Sequence, residues 1–594
     1  MIDLDTGTTI AGFSQIWKGW IRSDQSGEAT FFLEADDHAT LWMGGKLVAV
    51  GPRREGSTGE SVPLQAGHAL PVEIYFVQRS GSARLRLYWS WQGGAKELVP
   101  GSLLWHDAKD LAAVTGMAKG EVQVIVKRQM KCRIYDPSAS PPVQSQERLP
   151  LASGPHLLLD EHWVQEPVNL SRKVNRPVRT LDGPVVTGGA GKGDNCFQPY
   201  LSVVRDPATG RFRIWYGVPE NVGQSHVATM ESEDGVNWIR PHRVLEDPSP
   251  IQFGVSILDK GQDCKDPAAR FKYGYYGLME GGLRVAISPD GLQWKPLVDH
   301  VVLVHSHDIN SIGWDPLRGR YMALVSAHTS GETWSGERRI PMESVSPDLV
   351  HWEEPWVTVA PNDAIDQGET QFYGMDGILA RGEVLISMIK VLRDDLPADP
   401  DVPAAGIGYT CLGWSWDGET WIRDREPFMD RNPDTGTWDH AMAWIDEQVP
   451  VGDEVYLYYG GYARGHKINR FEERQIGLVR MPRDRYVAWE AGDTEGGFRT
   501  PVFQWQGRGL SLNVDASQGT VLVEVCDKNG VPKKGFAFQD CEAIRTDSLS
   551  ASVRWKGDLS ELDGSQVFLK FSLTRSRLFA FEVLPAALLG RGQG

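Results

Sequence analysis

One phrase, repeated four times, constrains this chain more than anything else in it. Ser232-Glu233-Asp234-Gly235-Val236-Asn237-Trp238 is followed by Ser288-Pro289-Asp290-Gly291-Leu292-Gln293-Trp294, then by Ser346-Pro347-Asp348-Leu349-Val350-His351-Trp352, then by Ser415-Trp416-Asp417-Gly418-Glu419-Thr420-Trp421. The closing tryptophans stand 56, 58 and 69 residues apart, and a looser fifth ending, Gly477 to Trp489, falls 68 residues after the fourth. Self-similarity at such a period marks a repeat architecture, in which one small unit recurs and packs on its neighbours. Between the phrases lie short alternating apolar runs with turn signals. Each unit therefore reads as a small antiparallel sheet, and the array as a five-bladed β-propeller over residues 156–492.

At 594 residues the chain is too long for one core and divides further. Residues 1–107 alternate as half-buried strands do, for example in Pro71-Val72-Glu73-Ile74-Tyr75-Phe76 and Ala83-Arg84-Leu85-Arg86-Leu87-Tyr88-Trp89. Residues 108–155 read as a connector, with one strand at Glu121–Val126 and a stretch rich in Pro, Ser and Gln from Pro137 to Pro150. Residues 493–594 hold a further set of strands, among them Gly509–Val514 and Val567–Leu573, of the kind that build a sandwich. The expected fold class is all-β: a five-bladed β-propeller flanked by an N-terminal and a C-terminal β-sandwich.

The formal charge of -17 is spread along the sequence, which argues against nucleic acid and anionic membrane as partners and favours neutral substrates. The 22 tryptophans and 16 tyrosines suit sugar-binding surfaces, although most of the tryptophans belong to cores. Six cysteines show no metal-ligand spacing; a Cys526–Cys541 disulfide and free buried thiols are both open. No stretch is apolar and long enough to span a membrane, and Met1-Ile2-Asp3-Leu4-Asp5 has none of the marks of a signal peptide.

Propeller sites form where inner strands begin, around the mouth of the central channel. The residues at those positions are Asp194, Phe253, Asp308, Glu369 and Asp439, so four of five units offer a carboxylate. Glycoside hydrolysis needs a pair: one carboxylic acid to protonate the leaving oxygen, and one carboxylate to activate water or attack the anomeric carbon. A third nearby carboxylate raises the acid's pKa. Gln198, Gln371, Tyr373 and Trp438 flank these positions with amide and aromatic groups suited to hydroxyls and sugar faces. His307 and His440 are further sugar-ligand candidates, against the alternative of structural histidines. Asp206, Asp266 and Asp315 each open a turn followed by proline, so Arg205-Asp206-Pro207 is read as turn chemistry despite matching a catalytic tripeptide of glycoside hydrolase family 32.

Two resemblances add to this reading. Trp17-Lys18-Gly19, the pair Asp36-Asp37 ahead of Leu41-Trp42-Met43-Gly44-Gly45-Lys46, and the Ala66-Gly67 turn resemble a protective-antigen-type (PA fourteen) domain. Such domains often bind glycans, some through a calcium held by two consecutive aspartates, which the resemblance places at Asp36 and Asp37. A turn capping a strand pair is the alternative reading of the same two residues. A propeller followed by a sandwich resembles glycoside hydrolase family 32, and Asp194, Asp308 and Glu369, with gaps of 114 and 61 residues, resemble the catalytic layout of family 43. The second likeness implies Asp194 as base, Asp308 as pKa modulator and Glu369 as acid. By internal register the matched set is different: Asp194, Glu369 and Asp439 each stand twelve residues before the turns at Asp206, Arg381 and Val451, whereas Asp308 stands seven before Asp315, so Asp439 rivals it.

The expected function is a glycoside hydrolase acting on a poly- or oligosaccharide, inverting by the family 43 likeness and retaining by the family 32 likeness. The alternative is a non-catalytic glycan-binding protein on a degenerate propeller. Neither needs a cofactor for catalysis; calcium is expected in the N-terminal domain or the propeller channel. The expected location is secreted or periplasmic, with the signal peptide removed.

Overall fold

The four phrases fold alike because each uses its two polar side chains in the same way. In the computed structural model the serine hydroxyl accepts from the amide three residues on (Gly235, Gly291, Leu349, Gly418), each at 2.9 Å. The aspartate Oδ1 accepts from the amides two and three residues on, at 2.6–3.1 Å. These local bonds offer the backbone an alternative to the strand ladder, so the strand ends and turns. The structure describes residues 3–9, 13–36, 38–51, 60–78, 82–105, 130–136, 151–187, 201–221, 224–244, 255–261, 264–277, 282–305, 310–468 and 474–585.

Each phrase joins the third and fourth strands of an antiparallel meander. The first meander runs Ser202–Arg205, Phe212–Asn221, Gln224–Ser232, Trp238–Val244; the second begins with Ser256–Asp259, Phe271–Gly277 and Gly282–Ser288. The third is Asn310–Asp315, Arg320–Thr329, Arg338–Ser346, Trp356–Val357. The fourth is Thr370–Arg381, Val384–Arg393, Ile407–Ser415, Trp421–Met429, with Cys132–Ile134 from the connector added in parallel beside Trp421. The fifth has Met442–Val451, Glu454–Tyr462 and Gln475–Pro482. Its outer edge is met by the segment ahead of the first meander, through the bridges Val178–Arg480 and Val186–Ile476.

The first strands of successive meanders pack side by side from the first to the fifth, and the fifth packs on the first. Cross-meander bonds end on phrase carbonyls, among them three on the residue at the fourth position. Tyr458 of the fifth donates to Gly235 of the first (2.8 Å), Trp215 of the first to Gly291 of the second (2.8 Å), and Arg320 of the third to Gly418 of the fourth (3.0 Å). The aspartates of the hairpin turns behave as their spacing predicts: Asp206 accepts from the amides of Ala208 and Thr209, and Asp315 from those of Leu317 and Arg318.

The looser fifth ending does not close a meander. Trp489 lies in Val487–Ala491, a strand of the C-terminal sandwich that pairs with Ser171–Val174 and Ser576–Leu584, and its indole donates to the Leu158 carbonyl. His156–Leu157 and Gln165–Val168 pair with sandwich strands as well. The stretch 156–174 thus joins the sandwich rather than the first meander, because its apolar side chains Leu158, Trp163 and Val164 have their core there, among Trp505, Phe571 and Phe581.

At the other end of the chain two five-stranded sheets face each other, one containing Gly27–Asp36 and Ser82–Trp91, the other Phe13–Arg22, Ala69–Gln78 and His38–Met43. Strand alternation sends Phe31, Leu33, Leu41, Ile74, Phe76 and Leu85 into one core. The molecule is all-β, with only short 3-10 turns among the described residues. Cys526 and Cys541 are unbonded thiols, as are Cys132, Cys264 and Cys411. No described helix is long and apolar enough to cross a membrane.

Candidate functional site

In an antiparallel meander the start of the first strand, the end of the second and the start of the third share one end, opposite the phrases. At that end of the third, fourth and fifth meanders the sequence places large aromatic and cationic side chains next to each other. Tyr373, 3% exposed on Thr370–Arg381, is their centre. The Arg339 guanidinium sits 3.8 Å from its ring centroid, the Trp444 ring 4.7 Å away, and His466 meets it edge-on at 5.1 Å. Tyr462 continues the group behind Trp444 and carries Arg474 over its face at 4.9 Å.

His466 reaches this position because its loop is tied down. Its amide donates to the Gly406 carbonyl (3.0 Å) and the Lys467 amide to that of Ala405 (3.1 Å). Gly406 has φ of +85°, and a Cβ there would lie 2.8 Å from Asp394 Oδ1 and 3.1 Å from His466 Cβ, so glycine is what lets the two loops close on each other. Asp394 accepts from the Gln371 amide (3.2 Å) and pairs with Lys467 (3.2 Å). Glu369 stands exposed at the rim, immediately before the strand, and its amide donates to the Asp395 carboxylate that Arg393 grips at 2.7 Å.

Deeper along the same meanders lies a charge cluster around the buried Lys390. Lys390 is enclosed between Asp376, at 2.8 Å, and Asp446, which it also meets in a short hydrogen bond. Burial alone would lower the Lys390 pKa, but the two carboxylates outweigh it and hold the ammonium charged. Burial pushes Asp446 up to about 6 despite that contact. The cluster ties the fourth meander to the fifth.

The residues singled out by sequence fall into three groups. Glu369, Gln371 and Tyr373 stand together at the end of the fourth meander opposite its phrase. Asp439, Trp438 and His440 make different contacts. Asp439, 1% exposed, is held by Arg179 (2.7 Å) and by the Tyr459 hydroxyl (2.9 Å). His440 has both ring nitrogens engaged, Nδ1 with the Asn432 carbonyl (2.8 Å) and Nε2 with Asp399 (2.9 Å), and so braces its own loop. Trp438 stacks on Tyr459 (5.3 Å, 24°) and covers Gly461 and Gly477, where any Cβ would strike its ring. Asp194, Gln198, His307, Asp308 and Phe253 lie outside the described residues, as does Asp37; Asp36 closes the strand Gly27–Asp36.

Arg339, Trp444, Asp394 and His466 were not reached by sequence reasoning, which considered the first residue of each inner strand and its near neighbours along the chain. For His466 the sequence carries one signal, a histidine and a lysine directly after Gly465, just beyond the second strand of the fifth meander.

With this geometry in place, the comparisons with known proteins match the N-terminal sandwich as a family domain. Residues 5–102 match the family model of the PA14 domain. The anti-sigma-I factor RsgI3 of Acetivibrio thermocellus is 26% identical over 123 residues, 20% of this chain and 19% of that protein. The protective antigen of Bacillus anthracis is 27% identical over 89 residues, 14% of this chain and 11% of that one. The chain thus spans less than a fifth of the length of either relative. A solved glycoside hydrolase aligns with 51% of this chain and 92% of its own, at 13% identity and a TM-score of 0.37.

Proposed function

We propose that the five meanders are the blades of a five-bladed β-propeller and that its mouth binds and hydrolyses a glycan. The consecutive packing of the five first strands, with the fifth against the first, supports the blade reading. The observation that carries the glycan reading is the composition of the mouth. Carboxylate and amide groups (Glu369, Asp394, Gln371) stand in reach of solvent over a buried floor of Tyr373 and Trp444, and such groups suit the hydroxyls of a sugar. The PA14 match at residues 5–102 supports a second contact with the same polymer.

In this reading Glu369 is the general acid, Asp194 the base that activates water, and Asp308 the carboxylate that keeps the acid protonated. Asp439 is not needed, since Arg179 and Tyr459 already engage its carboxylate. Location in the secreted or periplasmic space follows from a polymeric substrate. Calcium at Asp36-Asp37 belongs to the same proposal, with oxygen ligands of the type that ion takes.

Glu369→Gln tests the assignment. Against a panel of aryl arabinofuranosides, xylosides, galactosides and fructofuranosides, kcat falls on the order of 100-fold or more while thermal unfolding is unchanged. Undiminished turnover in that variant removes Glu369 as the acid. The first-formed anomer, followed by proton NMR, is of inverted configuration. A second reading, glycan binding without cleavage, is favoured by the exposed position of Glu369, outside the packed aromatic group. Absence of reducing-sugar release by the unsubstituted protein, with retained polysaccharide binding, decides for it.

A further inference from the structure

A second cleft lies where the N-terminal sandwich meets the second and third meanders. Its first wall is the outer face of the sheet formed by Phe13–Arg22, Ala69–Gln78 and His38–Met43. Register puts Lys18, Glu73 and Trp42 in one row across the three strands, with Tyr75 and Thr40 paired in the next. Alternation sends their neighbours Trp17, Ile74 and Leu41 into the core, so this polar and aromatic set faces outward. The opposing wall is Val301–Leu303 together with Val350–Glu353, the end of the third phrase. Between them is a cavity of about 290 Å³.

Three observations mark the cleft as more than a seam. Trp42, Tyr75 and Trp352 line it with aromatic surface. Thr40, on the outward face yet 1% exposed, has a hydroxyl with no hydrogen-bond partner among the described residues. A buried hydroxyl of that kind is costly unless something satisfies it. The polar groups are otherwise organised: Tyr75 donates to Glu73 (2.8 Å), which also pairs with Lys18 (3.4 Å). Glu73 and Glu353 in the lining outnumber the one lysine, so an anionic ligand is disfavoured.

We infer that this interdomain cleft is a binding site for one or two residues of a neutral glycan chain, stacked on Trp42 and Trp352 and donating a hydroxyl hydrogen bond to or accepting one from Thr40. Its volume stands at the lower end of ligand pockets, which suits a short segment rather than a large ligand. The site is separate from the mouth and from Asp36-Asp37. It needs both domains, so it fixes their relative placement when filled; Trp42 already meets His300 of the second meander edge-on at 5.2 Å. The inference shares its ligand class with the proposed function but not its residues.

The test is affinity electrophoresis of the full chain in gels containing arabinoxylan, galactomannan or xyloglucan, with polygalacturonate as the acidic counterpart. At least one neutral polysaccharide retards the protein. Trp42→Ala weakens that retardation about tenfold or more, and the near-isosteric Thr40→Val, which keeps the fold if Trp42→Ala does not, weakens it several-fold. Glu369→Gln and added EDTA leave it intact, whereas hydrolysis of aryl glycosides is unchanged in Thr40→Val. Retardation by none of the neutral polysaccharides, or equal retardation of both cleft variants, overturns the inference. Loss of retardation on EDTA or in Glu369→Gln also overturns it and moves binding to the calcium site or the mouth.

Discussion

The two ends of the meanders are built by opposite rules. At the phrase end the same serine and aspartate make the same bonds four times over, and the fourth position has φ of +70° to +74° in every copy. At the opposite end the described contacts differ from meander to meander: His305 packs on Tyr276 in the second, Arg339 lies over Tyr373 between the third and fourth, and His466 joins Trp444 in the fifth. Repetition therefore reports scaffold, and departure from repetition reports where chemistry can sit.

Between the ends lies a cluster that follows neither rule, and it gives the largest expected effect. Replacing Lys390 by Met leaves Asp376 and the buried Asp446 facing each other without a cation. Breaking a buried pair from one side costs about 3–5 kcal/mol. Lys390→Met is expected to lower the denaturant midpoint accordingly, while the double replacement Lys390→Met with Asp446→Leu recovers much of the loss. If the single variant is as stable as the unsubstituted protein, the middle of the strands is not the second scaffold it is taken to be.

The phrase end is expected to be a matter of stability alone. Asp234→Ala removes the acceptor for the Val236 and Asn237 amides and costs about 1 kcal/mol, the usual size for losing a capping carboxylate, with no change in hydrolysis. The pH dependence has a definite sign. Partial burial of Asp348 works against ionisation, but the His351 amide and imidazole and the Val350 amide outweigh it and bring its pKa down to about 2. Asp234, Asp290 and Asp417 are lowered for the same reason, by amides of their own turns. A depressed folded pKa contributes stability above the unfolded value and loses it as pH falls through the folded one. Acid unfolding of the meanders is thus expected between roughly pH 4 and pH 2, and it becomes shallower in Asp234→Ala.

What could be read without coordinates follows the same division. The phrases mark the turn between third and fourth strands in four units, because a Ser-Asp turn needs only residues close in sequence. The Asp206 turn was legible for the same reason, and the N-terminal sandwich through strict alternation. The fifth unit was misread at Trp489, since pairing of 156–174 with the C-terminal strands joins residues more than 300 apart and leaves no local trace. Asp439 and His440 satisfied the internal register, but their partners Arg179 and Asp399 come from other segments and could not be foreseen from spacing. Glu369, Gln371 and Tyr373 were reachable because they adjoin a strand start; Arg339 and His466 come to Tyr373 only through packing of neighbouring meanders.

The smallest expected effect tests the one phrase that breaks its own rule. Three copies have glycine at the fourth position, and each is pressed by the preceding meander: an added Cβ would meet the Tyr458 hydroxyl at Gly235, the Trp215 ring at Gly291 and Arg318 at Gly418. The third copy has Leu349 at φ of 71°, 1% exposed in the core shared by the second and third meanders, and its carbonyl accepts from Trp352 of its own phrase instead of from a neighbour. A left-handed leucine costs about 1–2 kcal/mol, and burying its side chain returns about 1.5–3. Leu349→Gly relieves the first and forfeits the second, so a net loss of about 1 kcal/mol is expected by denaturant titration. Gly291→Leu, with the Trp215 ring 2.6 Å from its Cβ, has the strain without the burial and is expected to cost more. Because Val350 and Trp352 wall the interdomain cleft, Leu349→Gly should also loosen polysaccharide retardation while Gly291→Leu does not. Equal retardation in the two would separate the leucine from the cleft and leave it as packing between two meanders.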